Sequence, residues 1–329
     1  MQIYRSLAEI PPAFGPTVAS IGNFDGVHMG HRWVIAEVIA HARSRGVRSL
    51  AVTFDPHPLR VLRPEISFSL ITPLPAKLDL LAATGLDAVL VFPFTPELSR
   101  MSARRFAEEV LRGRLQAAEV HEGENFRFGH DAEAGAETLE QLGHELGFEV
   151  YIYAPRSLRG MPISSSRIRA LLATGQLHHV RALLGRSFSI HSTPAPGRGY
   201  GTRYTVPTIN LAPYTELLPG HGVYATLLRI GAETFEGVTN VGNRPTFGAD
   251  SFAVETHLLN FHPVALTEET PLELTFLKRL RGEVRWPSPE TLREQIGRDV
   301  KQASRLFSLW RELAARRRSE EYPSASLAE

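Results

Sequence analysis

Ile21-Gly22-Asn23-Phe24-Asp25-Gly26-Val27-His28-Met29-Gly30-His31 decides how the first half of the chain is read. An apolar run, Thr17 to Ile21, leads into it, and a helix-period pattern leaves it. Between them lie three glycines and two histidines, the latter spaced H-x-G-H. Glycines at a strand-to-helix turn let backbone approach a ligand closely. The unpaired N–H groups and positive dipole end of the following helix suit a phosphate, and histidines in its first turn add donors. Four residues of H-x-G-H recur by chance and fit a plain turn with surface histidines; the eleven-residue context is what makes the stretch informative.

Outward from it, strand and helix patterns alternate. Strand-like runs cover Thr17–Ile21, Ser49–Phe54, Ala88–Phe92, Glu119–Glu122 and Glu149–Tyr153. Helix-like runs cover His31–Arg45, Pro75–Thr84, Ser102–Leu115 and Ala136–Leu146. That alternation predicts crossover units and a parallel sheet covered on both faces, with ligands beyond the carboxyl ends of its strands. The unusual loops fall there: the glycine-histidine turn, then Asp55-Pro56-His57-Pro58, then Gly123-Glu124-Asn125-Phe126-Arg127-Phe128-Gly129. Farther on, Ile163-Ser164-Ser165-Ser166-Arg167-Ile168-Arg169 opens another helix. One serine reads as its N-cap, while the hydroxyls, free N–H groups and Arg167 also make an anion site.

After Gly185 the pattern changes. Short β-like runs at Phe188–His191, Thr208–Leu211, Gly222–Ile230, Thr234–Val241, Phe252–Asn260 and Leu272–Leu277 predict a small antiparallel barrel. Ser288 caps a C-terminal helix with an apolar stripe through Leu292, Ile296, Val300, Ala303, Phe307 and Trp310. Pro196-Gly197-Arg198-Gly199-Tyr200-Gly201 fits a hairpin connection as well as a nucleotide loop. Thr208 and Asn210, two apart on one strand, share a face and offer hard oxygens suited to Mg²⁺. Glu255 is either an outer-face carboxylate or, facing a pocket, a base for an alcohol.

The chain has 329 residues, 43% apolar and 22% charged, with formal net charge +1 and no cysteine. The length suits two domains. The balanced charge gives no field for nucleic acid, and the lack of cysteine excludes disulfides and thiolate zinc sites. No apolar run approaches the ~20 residues of a membrane span, and the first residues lack a signal-peptide layout. A cytoplasmic protein is expected, with small-molecule partners, no nucleic acid, no membrane, and at most weak or transient self-association.

Taken together, G-N-F-D-G-V-H-x-G-H, D-P-H-P, G-x-x-F-R-F-G and I-S-S-S-R-I-R, in this order, resemble the adenylyltransferase module of bacterial bifunctional riboflavin kinase/FAD synthetases. That module belongs to the Rossmann-like nucleotidyltransferase superfamily marked by H-x-G-H. Pro207-Thr208-Ile209-Asn210 and Glu255-Thr256-His257 are similar to the riboflavin kinase module of the same family. The resemblance implies an adenylyltransferase domain over 1–185, a kinase barrel with its C-terminal helix over 186–318, and a disordered tail over 319–329. It implies riboflavin, FMN and ATP as substrates, with Mg²⁺. In the first domain it casts His28 and His31 as catalytic phosphate ligands. Gly22, Asn23, Phe24, Asp25, Asn125, Ser164, Ser165 and Arg167 would line the ATP site, and Pro56, His57 and Pro58 the flavin site. In the second it casts Glu255 as catalytic base, Gly199, Gly201, Thr208 and Asn210 as ATP ligands, Thr208 and Asn210 also as metal ligands, and Arg281 and Glu283 at the flavin. Val206, Ile209 and Asn260 depart from the usual phenylalanine, alanine and aspartate. Other readings are an adenylyltransferase whose barrel only binds flavin, a flavin-responsive regulator without turnover, and a different H-x-G-H transferase.

Overall fold

Strand β2 (Thr17–Ile21) is buried along its whole length, as a central strand covered on both faces must be. The computed structural model describes residues 1–195, 208–243, 252–262, 264, 266–284 and 286–321. β2 sits between β3 (Arg48–Asp55) and β5 (Ala117–Gly123). With β1 (Gln2–Tyr4), β4 (Ala88–Pro93) and β6 (Glu149–Tyr153) it forms a six-stranded sheet in the order β1-β4-β3-β2-β5-β6. Every pairing is parallel. From β2 the chain winds first through β3 and β4, then crosses to β5 and β6 on the other side. The strand order therefore reverses between β2 and β5, the position beyond whose strand ends such sheets place their ligand crevice.

Alternation along the strands sends side chains to opposite layers. Ala19, Leu50 and Val52 join Phe106, Leu111, Leu115 and Leu139 on one face. Val18, Ala51 and Val89 join Ile35, Val38, Leu78 and Leu81 on the other. The second layer includes helices α1 (Met29–Arg45) and α3 (Leu74–Ala82). Between them lies the short α2 (Pro58–Leu62). Gly46, in the left-handed region at φ 66, ends α1. α4 (Pro96–Ser99) is a single turn, and α5 (Ala103–Arg105) runs on into Phe106–Arg114.

Two features depart from the sequence pattern. β1, only 3 residues long, pairs at the sheet edge; a strand so short carries no period to detect. The helix expected over Ser102–Leu115 widens to π-type turns over Phe106–Arg114. Its apolar face stays inward, with Phe106, Ala107, Val110 and Leu111 buried.

α6 (Ala136–Leu146) precedes β6, and α7 (Ser165–Ala173) and α8 (Leu177–Leu184) follow it. The chain falls into two compact units, Met1–Arg169 with Leu183–Gly185, and Ala170–Ala182 with Arg186–Glu329. The second contains a seven-stranded antiparallel sheet, curled as a half-barrel, in the order β10-β11-β14-β13-β12-β15-β9. Its strands are β9 (Phe188–Ser192), β10 (Pro194–Ala195), β11 (Thr208–Leu211), β12 (Gly222–Ile230), β13 (Glu233–Asn243), β14 (Phe252–Leu258) and β15 (Leu272–Arg281); β7 (Ser157–Leu158) and β8 (Met161–Pro162) form a separate hairpin. The C-terminal helix, α9 (Pro289–Glu321), lays Ala303 and Phe307 against Val223, Ala225 and Val238. It continues to Glu321, past the point at which the pattern predicted a tail; residues 322–329 lie outside the described set.

Candidate active site

The loop between β2 and α1 is held in a conformation that L-residues seldom adopt. Phe24 (φ 46), Gly26 (φ 88) and Val27 (φ 37) all lie in the left-handed region. Strain of this kind persists only where the surroundings fix it. Three sets of contacts do so. Gly22 N–H donates to Val52 O (2.9 Å), and the Thr53 hydroxyl to Asn23 O (3.2 Å). The buried Lys77 ammonium donates to Asn23 O and to Thr53 Oγ1, both at 3.0 Å. Asp25, also buried, accepts from the N–H groups of Ile71 (3.2 Å) and Thr72 (3.1 Å) and pairs with Arg169. Burial pushes the Asp25 carboxyl above its ordinary range, while Arg169 and the two N–H groups pull it back. Burial pushes the Lys77 ammonium down, against the pull of Asp25 and Asp55.

His28 caps α1 with its own ring. Nδ1 accepts the His31 N–H at 3.2 Å, so Nε2 is the nitrogen that carries the proton. The two imidazoles stack with centroids 3.5 Å apart, and Phe24 meets His31 edge-on at 5.3 Å. A Cβ on Gly30 would stand 3.2 Å from His28 Cε1 and Nδ1, which explains the glycine inside H-x-G-H. Burial, followed by His28 and Lys77, holds the His31 imidazole well below its usual pKa. Its Nδ1 is enclosed and has no hydrogen-bond partner among the described residues. An enclosed polar atom without a partner, beside a helix N-terminus, suits an incoming phosphate oxygen.

Two further predicted stretches meet this loop. Ser164 is the cap of α7, accepting the Arg167 N–H at 3.2 Å, and the Ser165 hydroxyl donates to Asp25 O at 2.8 Å. Arg167 itself is exposed. Pro56 is exposed and Pro58 half-buried. His57, between them, is buried and caps α2 through Nδ1, which accepts the Leu59 N–H at 3.2 Å. Its ring lies 4.4 Å from Phe68, over whose ring the Arg169 guanidinium also sits. Burial, then Arg169, Lys77 and Arg60, lowers the His57 pKa to about 4. Asn125 is exposed in the turn after β5, at the crevice end of the sheet.

Three members of this site escape a motif reading. Lys77 occupies the stripe of α3 that also buries Leu78 and Leu81; a lone charge on an apolar stripe was the available signal. Arg169 lies two residues beyond the arginine picked from I-S-S-S-R-I-R, on the inward side of the helix. Glu122 is buried at the end of β5 and accepts the Ile21 N–H at 2.5 Å, with burial raising its carboxyl well above the ordinary range.

In the second unit, strand register assembles the candidates. Asn210 on β11 lies opposite Glu255 on β14, and Glu255 lies opposite Asn240 on β13. Thr208 is opposite His257. Directly opposed residues of an antiparallel pair share a face. Glu255, Asn210, Asn240 and His257 are half-buried, whereas Val254, Thr256 and Leu258 face inward and are buried. The inward face is closed by hydroxyls: Thr239 bonds Thr226 at 2.7 Å and Thr256 at 2.9 Å. Glu255, half-buried, thus lies on the face that α9 covers at Val223, Ala225 and Val238, beside the two oxygen ligands predicted for a hard cation. Arg281 is committed to buried Asp299 on α9, through Nε at 3.0 Å and 3.2 Å and a terminal nitrogen at 2.9 Å. Glu283 packs against Gly242 and pairs with His221 at 3.3 Å. The Asn260 amide oxygen accepts the Glu236 N–H at 2.8 Å. Gly199, Gly201 and Val206 lie outside the described residues.

The similarities to known proteins also divide the chain in two. The FAD synthetase family model matches residues 11–167, and the riboflavin kinase family model residues 184–307. A bifunctional riboflavin kinase/FMN adenylyltransferase of Pseudomonas fluorescens is 34% identical, covering 93% of this chain and 98% of its own. The chain belongs to the bifunctional riboflavin kinase/FMN adenylyltransferase family. Its Escherichia coli K12 relative is 32% identical over 89% of this chain and 93% of its own. A solved structure titled as a macrolide-efflux protein from Streptococcus pneumoniae superposes with TM-score 0.82 at 23% identity, covering 92% of this chain and 98% of that one; this likeness concerns the fold alone. Among the described residues no helix is long and apolar enough to cross a membrane.

Proposed function

We propose that the two reactions of this bifunctional enzyme, riboflavin to FMN and FMN to FAD, are carried by the two centres separately. The adenylyl step belongs to the crevice between β2 and β5. An FMN phosphate oxygen attacks the α-phosphorus of ATP and pyrophosphate leaves. The nucleophile is already an anion, so no side chain need take a proton; placement and charge stabilisation suffice. The His28 ring supports this reading, since accepting the His31 N–H at Nδ1 puts its proton on Nε2. The enclosed His31 Nδ1 supplies a second polar atom. Gly22, Asn23, Phe24 and Asp25 shape the pocket, Ser164, Ser165, Arg167 and Asn125 attend the phosphates, and Pro56, His57 and Pro58 attend the flavin.

The kinase step belongs to the face bearing Glu255. The terminal ribityl hydroxyl attacks the γ-phosphorus of ATP, the bond to the β-phosphate oxygen breaks, and ADP leaves. An alcohol needs deprotonation, and Glu255 takes that proton. Thr208 and Asn210 offer hard oxygens on the same face, a donor set that fits Mg²⁺; the ion, when bound, neutralises charge on the phosphates. Gly199 and Gly201 complete the ATP loop, Arg281 and Glu283 border the flavin, and the domains divide at 185/186. The balanced charge and the absence of cysteine support a cytoplasmic enzyme of small molecules.

The register that sets Glu255 opposite Asn210 carries the kinase assignment, because it joins base and ligand across strands far apart in sequence. The test is the purified chain with riboflavin, ATP and Mg²⁺, followed by separation of flavins. Accumulation of FMN and then FAD is expected. FAD from supplied FMN alone would remove the kinase assignment.

A further inference from the structure

A second cluster of ligating side chains lies on the same sheet, away from the phosphate loop. Glu119 and His121 alternate on β5 and therefore share a face. His41 comes from α1, 13 residues after His28, about 20 Å farther along the helix. Glu119 Oε2 is 2.8 Å from His41 Nδ1 and 2.9 Å from His121 Nε2. One ligating atom from each of the three lies within 4.8 Å of the others. Glu119 is paired in register with Val18, at the opposite end of β2 from the loop. Neither reaction uses these residues.

We propose that His41, Glu119 and His121 form a binding site for a divalent transition metal ion of the zinc class. Two imidazoles and one carboxylate are a donor set such ions take with a fourth, open position. Tetrahedral coordination at ~2.0–2.1 Å sets donor atoms about 3.3 Å apart, against 2.8 Å and 2.9 Å here from the Glu119 oxygen to the two imidazole nitrogens. The His41 side chain is 31% exposed while those of Glu119 and His121 are 1% and 0%, giving an anchored floor and an open side for entry.

The outer contacts fit as well. His121 Nδ1 is 2.8 Å from the Tyr153 hydroxyl. With Nε2 on a metal, the proton sits on Nδ1 and donates to that hydroxyl, the second contact metal-bound histidines usually make. Arg45 pairs with the other Glu119 oxygen and with Glu149, leaving Oε2 to the imidazoles.

The measurement uses the full chain, stripped with chelator and titrated with Zn²⁺ by calorimetry, and with Co²⁺ by visible absorption. One Zn²⁺ per chain is expected, with a rise in melting temperature and the intense Co²⁺ bands of low coordination number. His41→Ala, on the half-exposed side, should weaken binding by about 10–100-fold. His178→Ala/His179→Ala, removing an exposed adjacent pair, and His28→Ala should leave the affinity unchanged. Absence of binding, or His41→Ala within twofold of the parent, would overturn the site. Loss in either control would do so too, by moving the ion elsewhere. Glu119→Gln gives a second reading: a fold that persists with unaltered Zn²⁺ affinity also refutes the assignment.

Discussion

The two centres are built in opposite ways. In the first, Asp25, His28 and Lys77 are 2%, 6% and 3% exposed, and a network of N–H groups, an ammonium and a guanidinium holds the loop. In the second, Thr208 is exposed, Asn210 and Glu255 are half-buried, and what aligns them is strand register. The difference follows the chemistry. Joining two polyanions rewards donors fixed in advance in an enclosed place, where each hydrogen bond is worth more than in water. Deprotonating an alcohol instead requires a carboxylate that is ionised and reachable, which deep burial would oppose.

The sharpest way to break this division is Glu255→Gln. It removes the proposed base and keeps the shape, so FMN formation from riboflavin should fall by about 10²–10⁴-fold. Conversion of FMN to FAD should stay within about twofold, as expected for a site with no shared partners. Equal loss of both steps in a folded variant would unite the centres. The reciprocal change, His28→Ala, should lower FAD formation by about 10²–10³-fold, the cost of one donor at developing charge. FMN formation should persist, with flavin separation reporting both rates.

Much of the first centre was legible because its signals are local. The G-N-F-D-G-V-H-x-G-H loop joins one strand to the next helix, and one of its three positive-φ positions, Gly26, carries the glycine such a turn favours. The supports were not legible, because they are long-range. Lys77 reaches Thr53 across 24 positions, and Arg169 reaches Asp25 across 144. No period or motif announces such pairings. The sheet strands were legible from their apolar runs, whereas β1 was too short to show one. In the second unit the strands could be read, but not the register that sets Asn210, Glu255 and Asn240 in a row. Register depends on the turns that join the strands as well as on their apolar pattern. The His41–Glu119–His121 cluster stayed hidden for the same reason: its members lie 78 and 2 positions apart, and only the packing of α1 on β5 unites them.

A smaller effect tests enclosure of the first centre directly. His57 has a pKa of about 4 in the folded chain, lowered by burial before any charge. Unfolded, it takes up a proton near pH 6.5. Between these values the unfolded state binds more protons, so stability falls as pH drops from about 6.5 to 4. His57→Asn keeps an acceptor for the Leu59 N–H and removes the titration. The parent should lose about 1–2 kcal/mol relative to the variant across that window, allowing for solvent screening. Urea unfolding at several pH values measures it, and parallel curves would mean the ring is open to water.

The smallest effect runs in the opposite direction and separates burial from charge. Glu122 lies under the start of the loop, accepting the Ile21 N–H, and the Ser20 hydroxyl is 3.5 Å away. Desolvation raises its carboxyl well above the ordinary value, outweighing both contacts. A raised acid is protonated in the folded chain at pH values where the unfolded chain has lost the proton. The folded state then binds more protons, and stability declines as pH climbs from the ordinary glutamate range through the folded-state value. Glu122→Gln resembles the neutral acid, retains an oxygen for the Ile21 N–H and cannot ionise. Its stability should match the parent at the acid end and exceed it increasingly as pH rises, the reverse of the His57 trend. Both trends arise from the same dry surroundings acting on a base and an acid. If unfolding midpoints for Glu122→Gln instead ran below the parent by a constant amount, the carboxylate would be acting as a fixed charge beneath the loop. The first centre would then rest on a buried anion as well as on the cations Lys77 and Arg169, and the contrast with the half-buried glutamate of the second would narrow.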